Sequence, residues 1–287
     1  NAPLFGTTSS TIMNINLSNV NIASNGRLTL GAVACVLAES DQSSISNCNV
    51  SGNITVSNPD TDIASGADAY LTVNFGGIVG TAHGDVTNCV NEANITVNQV
   101  AKSDNTVATH PIVGGVVGYS VVGAVTNCVN GNEAKTAGAI NYHDTHATQL
   151  YTPHVGGVAG SGASDNIAAF HNNTNYGAID FNANSGGDFG ISYSATTIGG
   201  VFSYSCGAVE GNNNYGTITI SGGNIISLVV GGVGGAVNPQ SFYDNHNHAG
   251  ANISVGQNVT FQGLNVAGVL GSIASSGSID TCTNDAT

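Results

Sequence analysis

Six cysteines are the most reactive side chains in this sequence, and four of them recur at one place in a repeated pattern. The recurring four are Cys48, Cys89, Cys128 and Cys282, and the other two are Cys35 and Cys206. In the remaining copies of the pattern we expect Phe170, Asn212 and Asn245 at this place. Equivalent residues that stack about 4.8 Å apart would lie within the Cα range of a disulfide. The alternative is a ladder of inward-facing cysteines that act as small hydrophobic side chains.

Asparagines followed by x-Ser or x-Thr are a second group of candidate sites, because this triplet is the acceptor for N-glycosylation. Three of them occupy the same position of a repeated Asn-Ile-Thr/Ser sequence. There we expect the asparagine on the face of the strand opposite the isoleucine. A glycan is therefore sterically feasible there. The seven candidates are Asn16, Asn49, Asn53, Asn94, Asn172, Asn252 and Asn258.

Metal-binding and catalytic patterns are sparse. The segments His143-Asp144-Thr145-His146 and His246-Asn247-His248 contain possible transition-metal ligands, but we favour ordinary surface histidines, because such short spacing in loops is common by chance. No Cys-x-x-Cys pair points to zinc. Asp60-Thr61-Asp62 with Asp68 suggests a calcium loop, but it lacks the glycine and the final carboxylate of an EF-hand. We therefore expect no bound cofactor, with calcium as the one candidate.

Polysaccharide lyases and glycosidases also use parallel β-helices. A lyase usually needs a basic residue near its substrate, and this chain has only three Lys or Arg. A glycosidase needs two facing carboxylates. The aspartates of this chain are instead scattered over different copies of the repeat, without a shared position. The candidates are Asp85, Asp144, Asp180, Asp188 and Asp244. We therefore expect that the protein is not an enzyme.

These candidate residues are placed by a repeat of about 40 residues. Each copy contains three short sequence motifs, which we call words. They are Gly-Gly-aliphatic-small-Gly, then an Asn-rich turn, then Gly/Ala-x-Ile. The clearest copy contains Gly76 to Gly80, Val86 to Asn91 and Ala93 to Val97. Taking one glycine from each copy as equivalent gives seven positions, which are Gly31, Gly77, Gly115, Gly157, Gly200, Gly232 and Gly268. Composition bias alone would not preserve the order of three separate words.

The repeat predicts an all-β solenoid (a parallel β-helix) of about seven divergent units, with residues 31–287 as the array. Strands such as Asn94 to Val97 and Thr217 to Ile220 alternate aliphatic and polar residues, so one face of each is apolar. One unit cannot bury that face alone, and stacking on the next copy would do so. Residues 1–30 are interpreted as an amino-terminal segment with an entry strand between Ile12 and Ile22. A propeller or sandwich is the alternative.

The charge balance limits the partners. Charged residues are 7% of the chain, the formal net charge is −14, and only three residues are Lys or Arg. Nucleic acids bind through clustered cations, so they are excluded as partners. No apolar run reaches the roughly 18 residues of a membrane-spanning helix. Because the chain begins at Asn1 rather than Met, we interpret it as a processed, extracellular or cell-surface form.

The repeat resembles the GLUG-motif repeats of bacterial surface proteins, which read roughly Gly-Gly-Leu-Val-Gly, an Asn-rich turn and Gly-x-Ile. The match covers residues 11 to 285, although this chain lacks leucine in the first word. The resemblance implies an exported surface, adhesin-like or filament-forming protein, and it supplies no catalytic residues.

We therefore expect an extracellular structural protein that assembles head-to-tail with copies of itself into a filament or surface layer. In this scheme residues 11 to 22 of one molecule would follow the last unit of another. The alternatives are an adhesin stalk or a solenoid module that binds surface glycans or ice. Ice binding would require a regular Thr-x-Thr array, which only Thr217 and Thr219 approach.

Overall fold

The computed structural model describes residues 2–25, 29–40, 42–57, 72–99, 110–144, 152–162, 169–183, 195–205, 207–237, 241–273 and 278–286. Within these ranges the chain forms 35 β-strands and no helix. Every strand pairing is parallel, and each joins one repeat to the next. The predicted all-β parallel solenoid is therefore confirmed.

Sheets A and B each contain eight strands. Sheet A consists of β1 (Phe5–Thr8), β5 (Ala34–Leu37), β9 (Val79–Ala82), β13 (Val117–Ser120), β18 (Ala159–Gly162), β23 (Phe202–Ser205), β28 (Gly234–Val237) and β33 (Leu270–Ile273). Sheet B consists of β2 (Thr11–Met13), β6 (Ser44–Ser46), β10 (Asp85–Thr87), β14 (Val125–Thr126), β19 (Phe170–His171), β24 (Val209–Glu210), β29 (Ser241–Tyr243) and β34 (Ser278–Asp280).

Sheet C contains twelve strands and sheet D seven. Sheet C consists of β3 (Asn16–Asn25), β7 (Asn49–Ser57), β11 (Val90–Gln99), β15 (Val129–Asn130), β16 (Ile140–Asp144), β20 (Thr174–Asn175), β21 (Ile179–Ala183), β25 (Asn213–Asn214), β26 (Ile218–Ser221), β30 (His246–Asn247), β31 (Ile253–Val255) and β35 (Thr283–Asn284). Sheet D consists of β4 (Leu30–Gly31), β8 (Thr72–Gly76), β12 (His110–Gly114), β17 (His154–Gly156), β22 (Thr196–Gly199), β27 (Asn224–Gly231) and β32 (Thr260–Ala267).

The chain passes through the sheets in the order D, A, B, C, and we call one such passage a coil. The strands β1 to β3 form coil 1, which lacks a D strand, and coils 2 to 8 are the seven predicted repeat units. Coil 1 pairs directly with coil 2 in sheets A, B and C. The segment from Ile12 to Ile22 was expected to be one strand. It is two, because Asn14 adopts φ 59° between β2 and β3.

The core consists of columns in which equivalent side chains from successive coils stack on one another. One column on sheet C contains Ile54, Ile95, Ile140, Ile179 and Ile218, all of them buried. Ile95 and Ile218 therefore face inward, as the alternation predicted. A column on sheet B is also apolar throughout, and it places Phe170 next to Val125 and Val209.

Left-handed residues turn the chain between sheets B and C at the same point of each coil. Asparagine tolerates this conformation better than other non-glycine residues, which explains the Asn of the repeated Thr-Asn-Cys word. All eight members have positive φ, and they are Asn14, Asn47, Asn88, Asn127, Asn172, Gly211, Asp244 and Thr281.

A buried asparagine ladder runs through sheet C directly after this turn. The side-chain Nδ2 of Asn91 donates to Oδ1 of Asn130 at 2.9 Å, and Asn130 donates in turn to Asn175 at 2.9 Å. The ladder continues through Asn214 and Asn247 to Asn284, with N···O distances of 2.8 to 3.0 Å. Nδ2 of Asn91, Asn130, Asn175 and Asn214 also donates to a backbone carbonyl within its own coil at 2.8 to 3.0 Å. The Asn-rich word therefore supplies hydrogen bonds both within and between coils.

The second glycine of each Gly-Gly word lies against this ladder. A Cβ atom added at Gly77 would come within 2.3 Å of the Asn91 side chain and of the Gly115 carbonyl. Equivalent glycines meet Asn130, Asn175, Asn214, Asn247 and Asn284 in the same way. One predicted equivalence was wrong, because Gly31 pairs with Gly76 and Ala32 takes the place of Gly77.

Candidate assembly faces

The end coils carry nearly all of the exposed large hydrophobic side chains of the described chain. Eight of the nine lie in coil 1, in coil 8 or on the last strand of coil 7, and Tyr243 is the exception. The eight are Leu4, Phe5, Met13, Val255, Leu264, Val266, Ile273 and Ile279. The exposed large hydrophobic side chains are therefore concentrated in the coils at the two ends of the stack.

Most exposed residues of the last coils continue columns that are buried farther inside. Leu264 and Val266 pair with Leu228 and Val230, which are fully buried one coil earlier, yet both are 44% exposed. Ile279 is 51% exposed although its neighbour Phe242 is buried. The carboxyl-terminal face is thus a cross-section through the core, and its strands present an open parallel edge.

Coil 1 forms the other end of the stack and is less open, because Phe5 is 39% exposed whereas Ile12 and Ile22 are buried. Phe5 is the first residue of the sheet A column that continues with Ala34. Ile12 is the first residue of the sheet B column that continues with Ile45. The expectation that residues 11 to 22 complete the last unit of another molecule does not fit this arrangement. Those residues already form strands of sheets B and C in their own coil, so a second copy would have to stack as a whole coil.

The cysteine position is a mixed column of thiols and amides. Cys48, Cys89 and Cys128 are buried with free thiols, whereas Cys35 and Cys282 are half-buried and free. A hydrogen bond from Cys128 raises the pKa of the Cys89 thiol to about 12, and a bond with Cys89 raises that of Cys48. Cys206 lies outside the described residues. The raised pKa values of Cys48 and Cys89 disfavour their thiolates, whereas an activated nucleophile has a lowered pKa.

One predicted member of the cysteine column was wrong. Phe170 pairs with Val125 in sheet B, three residues before the position that continues Cys128. Asn173 takes that position, and its Oδ1 accepts from the backbone N of Cys128 at 2.9 Å. The amide of Asn173 then donates to Asn212 at 3.0 Å, and Asn212 donates to Asn245 at 3.0 Å. The column therefore changes from thiols to a second asparagine ladder.

The seven candidate glycosylation asparagines differ in their exposure to solvent. Asn16, Asn49, Asn53, Asn172 and Asn258 are exposed, and Asn94 and Asn252 are half-buried. Asn94 also accepts a hydrogen bond from the backbone N of Ala139 at 3.0 Å. Asn53 and Asn94 are paired on neighbouring strands, so glycans on both would compete for the same space.

The histidines of the second predicted group lie on the outer surface of coil 7. His246 Nε2 is 2.9 Å from Asp244 Oδ1, and its Nδ1 is 2.8 Å from the Thr283 hydroxyl. His248 stacks on Tyr215 with 4.0 Å between ring centroids, and Tyr215 stacks on Tyr176. These three rings therefore form one stack across successive coils, and each ring is half-buried.

The other metal and carboxylate candidates are not brought together. Within the described ranges, no three His, Cys, Asp or Glu side chains lie where they could hold a metal ion. The segment with Asp60, Asp62 and Asp68 lies outside those ranges, as do His146 and Asp188. Asp144 and Asp180 pair with Ala183 and Asn141 respectively, and thus lie in different columns.

The two threonines considered for ice binding are also isolated. Thr219 pairs with Asp180 on one side and with Ser254 on the other. The Thr-x-Thr pattern is therefore not continued by the neighbouring coils.

Comparisons with known proteins identify no relative: no family model, no curated protein and no solved structure matches this chain. Among the described residues there is also no helix with the length and hydropathy needed to cross a membrane.

Proposed function

We propose that this protein is a structural subunit of an extracellular filament or cell-surface layer, in which β-helices stack head-to-tail. The observation that carries the proposal is the carboxyl-terminal face, where columns that are buried one coil earlier end in exposed apolar residues. If coil 1 of a second copy takes the place after coil 8, Ile279 stacks on Ile12 and Leu270 stacks on Phe5. Each of these pairs joins apolar residues at an inward position of the same sheet.

The asparagine ladders support a structural role, because they bond successive coils to one another. Hydrogen-bonded asparagines cross five successive coil boundaries in sheet C, and each buried amide is also tied to its own coil. Separating two coils would break the bond between their amides and leave a donor and an acceptor unsatisfied, and each unsatisfied polar group costs roughly 1 to 3 kcal/mol. A head-to-tail contact that does not close into a ring extends this stack into a filament.

The proposed junction differs from an internal boundary in one column. Asn284 would donate its Nδ2 toward Leu17 of the second copy, because Leu17 leads the column of Val50 and Asn91. One amide donor would thus lack a partner at each junction. We therefore expect the contact between copies to be weaker than contacts inside a chain, and assembly to depend on concentration.

Light scattering and negative-stain electron microscopy over a concentration series test the proposal. We expect rods longer than one molecule for the unchanged chain, and loss of rods for Ile279→Asp, which places a charge on the exposed carboxyl-terminal face. Asn53→Asp adds the same charge on an exposed side position and serves as the matched control. Circular dichroism checks that both variants remain folded. A chain that stays monomeric at high concentration, or an Ile279→Asp variant that assembles normally, would contradict the proposal.

A further inference from the structure

A pocket lies on the outer surface of sheet C in coils 1 to 3, beside the amino-terminal end of the stack. Its volume is about 280 Å³, and it is lined by Asn16, Asn49, Val50, Ser51, Val90 and Glu92. This size is close to the lower end of ligand clefts, at roughly 300 Å³, and suits a ligand of one sugar ring.

The pocket adjoins a β-bulge in strand β3. Leu17 pairs with Val50 but Val20 pairs with Gly52, so β3 has one residue more than β7 between these pairs. Asn19 in the bulge has φ 55°, and Gly52 has φ 128°. A Cβ at Gly52 would lie 2.2 Å from the Val20 carbonyl oxygen, so only glycine allows β3 and β7 to meet in this way. Bulges commonly redirect side chains next to binding sites.

The polar side chains of the pocket are not used by the fold. Within the part of the chain that the structure describes, the side chains of Asn16, Asn49, Ser51 and Glu92 make no hydrogen bond. Asn16 and Asn49 are in register on adjacent strands, yet their amides do not pair. Farther along the same column, Asn213 donates to the Gly211 carbonyl at 2.8 Å and His246 bonds to Thr283. The unpaired groups are therefore available to a ligand.

We infer that this pocket binds an amino sugar residue. Two amides and a hydroxyl can donate to and accept from several ligand hydroxyls, and Val90 offers an apolar contact for the C–H groups of a sugar ring. Glu92 is the only charged residue in the lining, and it attracts an ammonium group. The same carboxylate, in a chain of net charge −14, repels uronic acids and phosphorylated ligands.

Titration of the full chain with glucosamine, glucose and glucuronic acid tests the inference. Binding is monitored through amide chemical shifts in NMR. The protein is produced in a host that does not N-glycosylate, because a glycan on Asn16 or Asn49 would fill the same pocket. At about pH 6 an amine is protonated and a carboxylate ionised. We expect glucosamine to bind with a dissociation constant on the order of 1 mM, about fivefold more tightly than glucose, with shifts confined to β3, β7 and β11.

Variants separate the roles of the lining residues. Glu92→Gln should remove the preference for glucosamine over glucose, and Asn49→Ala should weaken the binding of both sugars. Thr96→Ala changes a side chain on the same strand as Glu92 but outside the pocket lining, and should leave binding unchanged. The inference is overturned if glucosamine causes no shifts at these strands, or if its preference survives in Glu92→Gln. Because Asn16 belongs to coil 1, the titrations are made below the concentration at which rods form, so that failure to bind the sugar is distinguishable from failure to assemble.

Discussion

Gly115 lies directly over the side chain of Asn130, and an added Cβ atom would be 2.2 Å from Asn130 Cγ and 2.1 Å from the Gly157 carbonyl oxygen. The glycine word and the asparagine word of the repeat thus meet in space within one coil. The repeat places a residue without a side chain where the buried amide ladder needs room.

Replacing Gly115 with alanine should destabilise the chain strongly, because the new methyl group collides with backbone as well as with Asn130. We expect a loss of about 3 kcal/mol, the upper end of overpacking effects. Gly6→Ala is the control, because nothing lies within 4 Å of its added Cβ. Urea unfolding of the two variants measures the difference, and equal midpoints would refute this account of the glycines.

Asn130→Ala should also destabilise the stack, since it removes the donor to the Gly138 carbonyl and interrupts the ladder between Asn91 and Asn175. We expect a loss of about 2 to 4 kcal/mol from the cavity and the unsatisfied carbonyl. Asn98→Ala removes an amide that is half-buried on the outer face and should cost less than about 0.5 kcal/mol. Chemical denaturation of both variants provides the comparison, and similar losses would show that the ladder contributes little.

Ile218→Asp should prevent folding or reduce stability severely, because Ile218 is fully buried between Ile179 and Ile253 and the carboxylate would have no partner. Thr217→Asp is the matched change one residue earlier, on the half-buried outward side, and should be mild. Thermal melts followed by circular dichroism test the pair. A mild effect of Ile218→Asp would contradict the inward orientation of this column.

The cysteines should differ in reactivity according to their place in the stack. Burial and hydrogen bonding among Cys48, Cys89 and Cys128 raise the pKa of Cys48 and bring that of Cys89 to about 12, so little thiolate forms near neutral pH. We expect iodoacetamide to label half-buried Cys35 and Cys282 first, and the other three only after denaturation. Peptide mass spectrometry reads out the order. Failure of these five thiols to react in denaturant without reductant would show that disulfides form instead.

His248 should make the stack less stable in acid. Burial and the neighbouring His246 lower the pKa of His248 below its ordinary value of about 6.5. The neutral ring is therefore favoured in the folded state, and its contribution is present above pH 6.5 and lost as the pH falls through the lower folded value. NMR titration should give a midpoint below 6.5, and His248→Gln should lose less stability than the unchanged chain between pH 8 and 5. A midpoint at or above 6.5 would contradict this prediction.

The sequence predicted the stack well because each repeated word has one physical role. Alternation placed Ile95 and Ile218 inward, and the order of the words fixed the parallel arrangement of the coils. The predicted matching of residues between copies was wrong where a copy departs from the common sequence of a word. Gly31-Ala32-Val33 has one glycine where later copies have two, and spacing alone aligned that glycine with the wrong partner. Asn173 was missed because Phe170 was matched in its place, although the left-handed Asn172 just before it marks the correct register.

The pocket beside Glu92 could not have been predicted in this way. It depends on one extra residue in β3, and a bulge of one residue leaves hydrophobic alternation nearly unchanged. Gly52, which stands where the next coil has Ala93, was the only trace in the sequence. The exposure of the end columns is likewise a property of the stack and not of any single repeat.

The contact between glycine and asparagine restricts how such a chain can change over generations. In coil 2, which has no asparagine in the ladder, Val50 fills the amide position and Ala32 fills the glycine position, and both are buried. The two positions have thus changed together within one coil. A coil moved by recombination into another place should be accepted when it brings both residues, whereas exchange of half a coil would combine an alanine with an asparagine. Exchange of whole coils, rather than of single strands, would therefore preserve this contact.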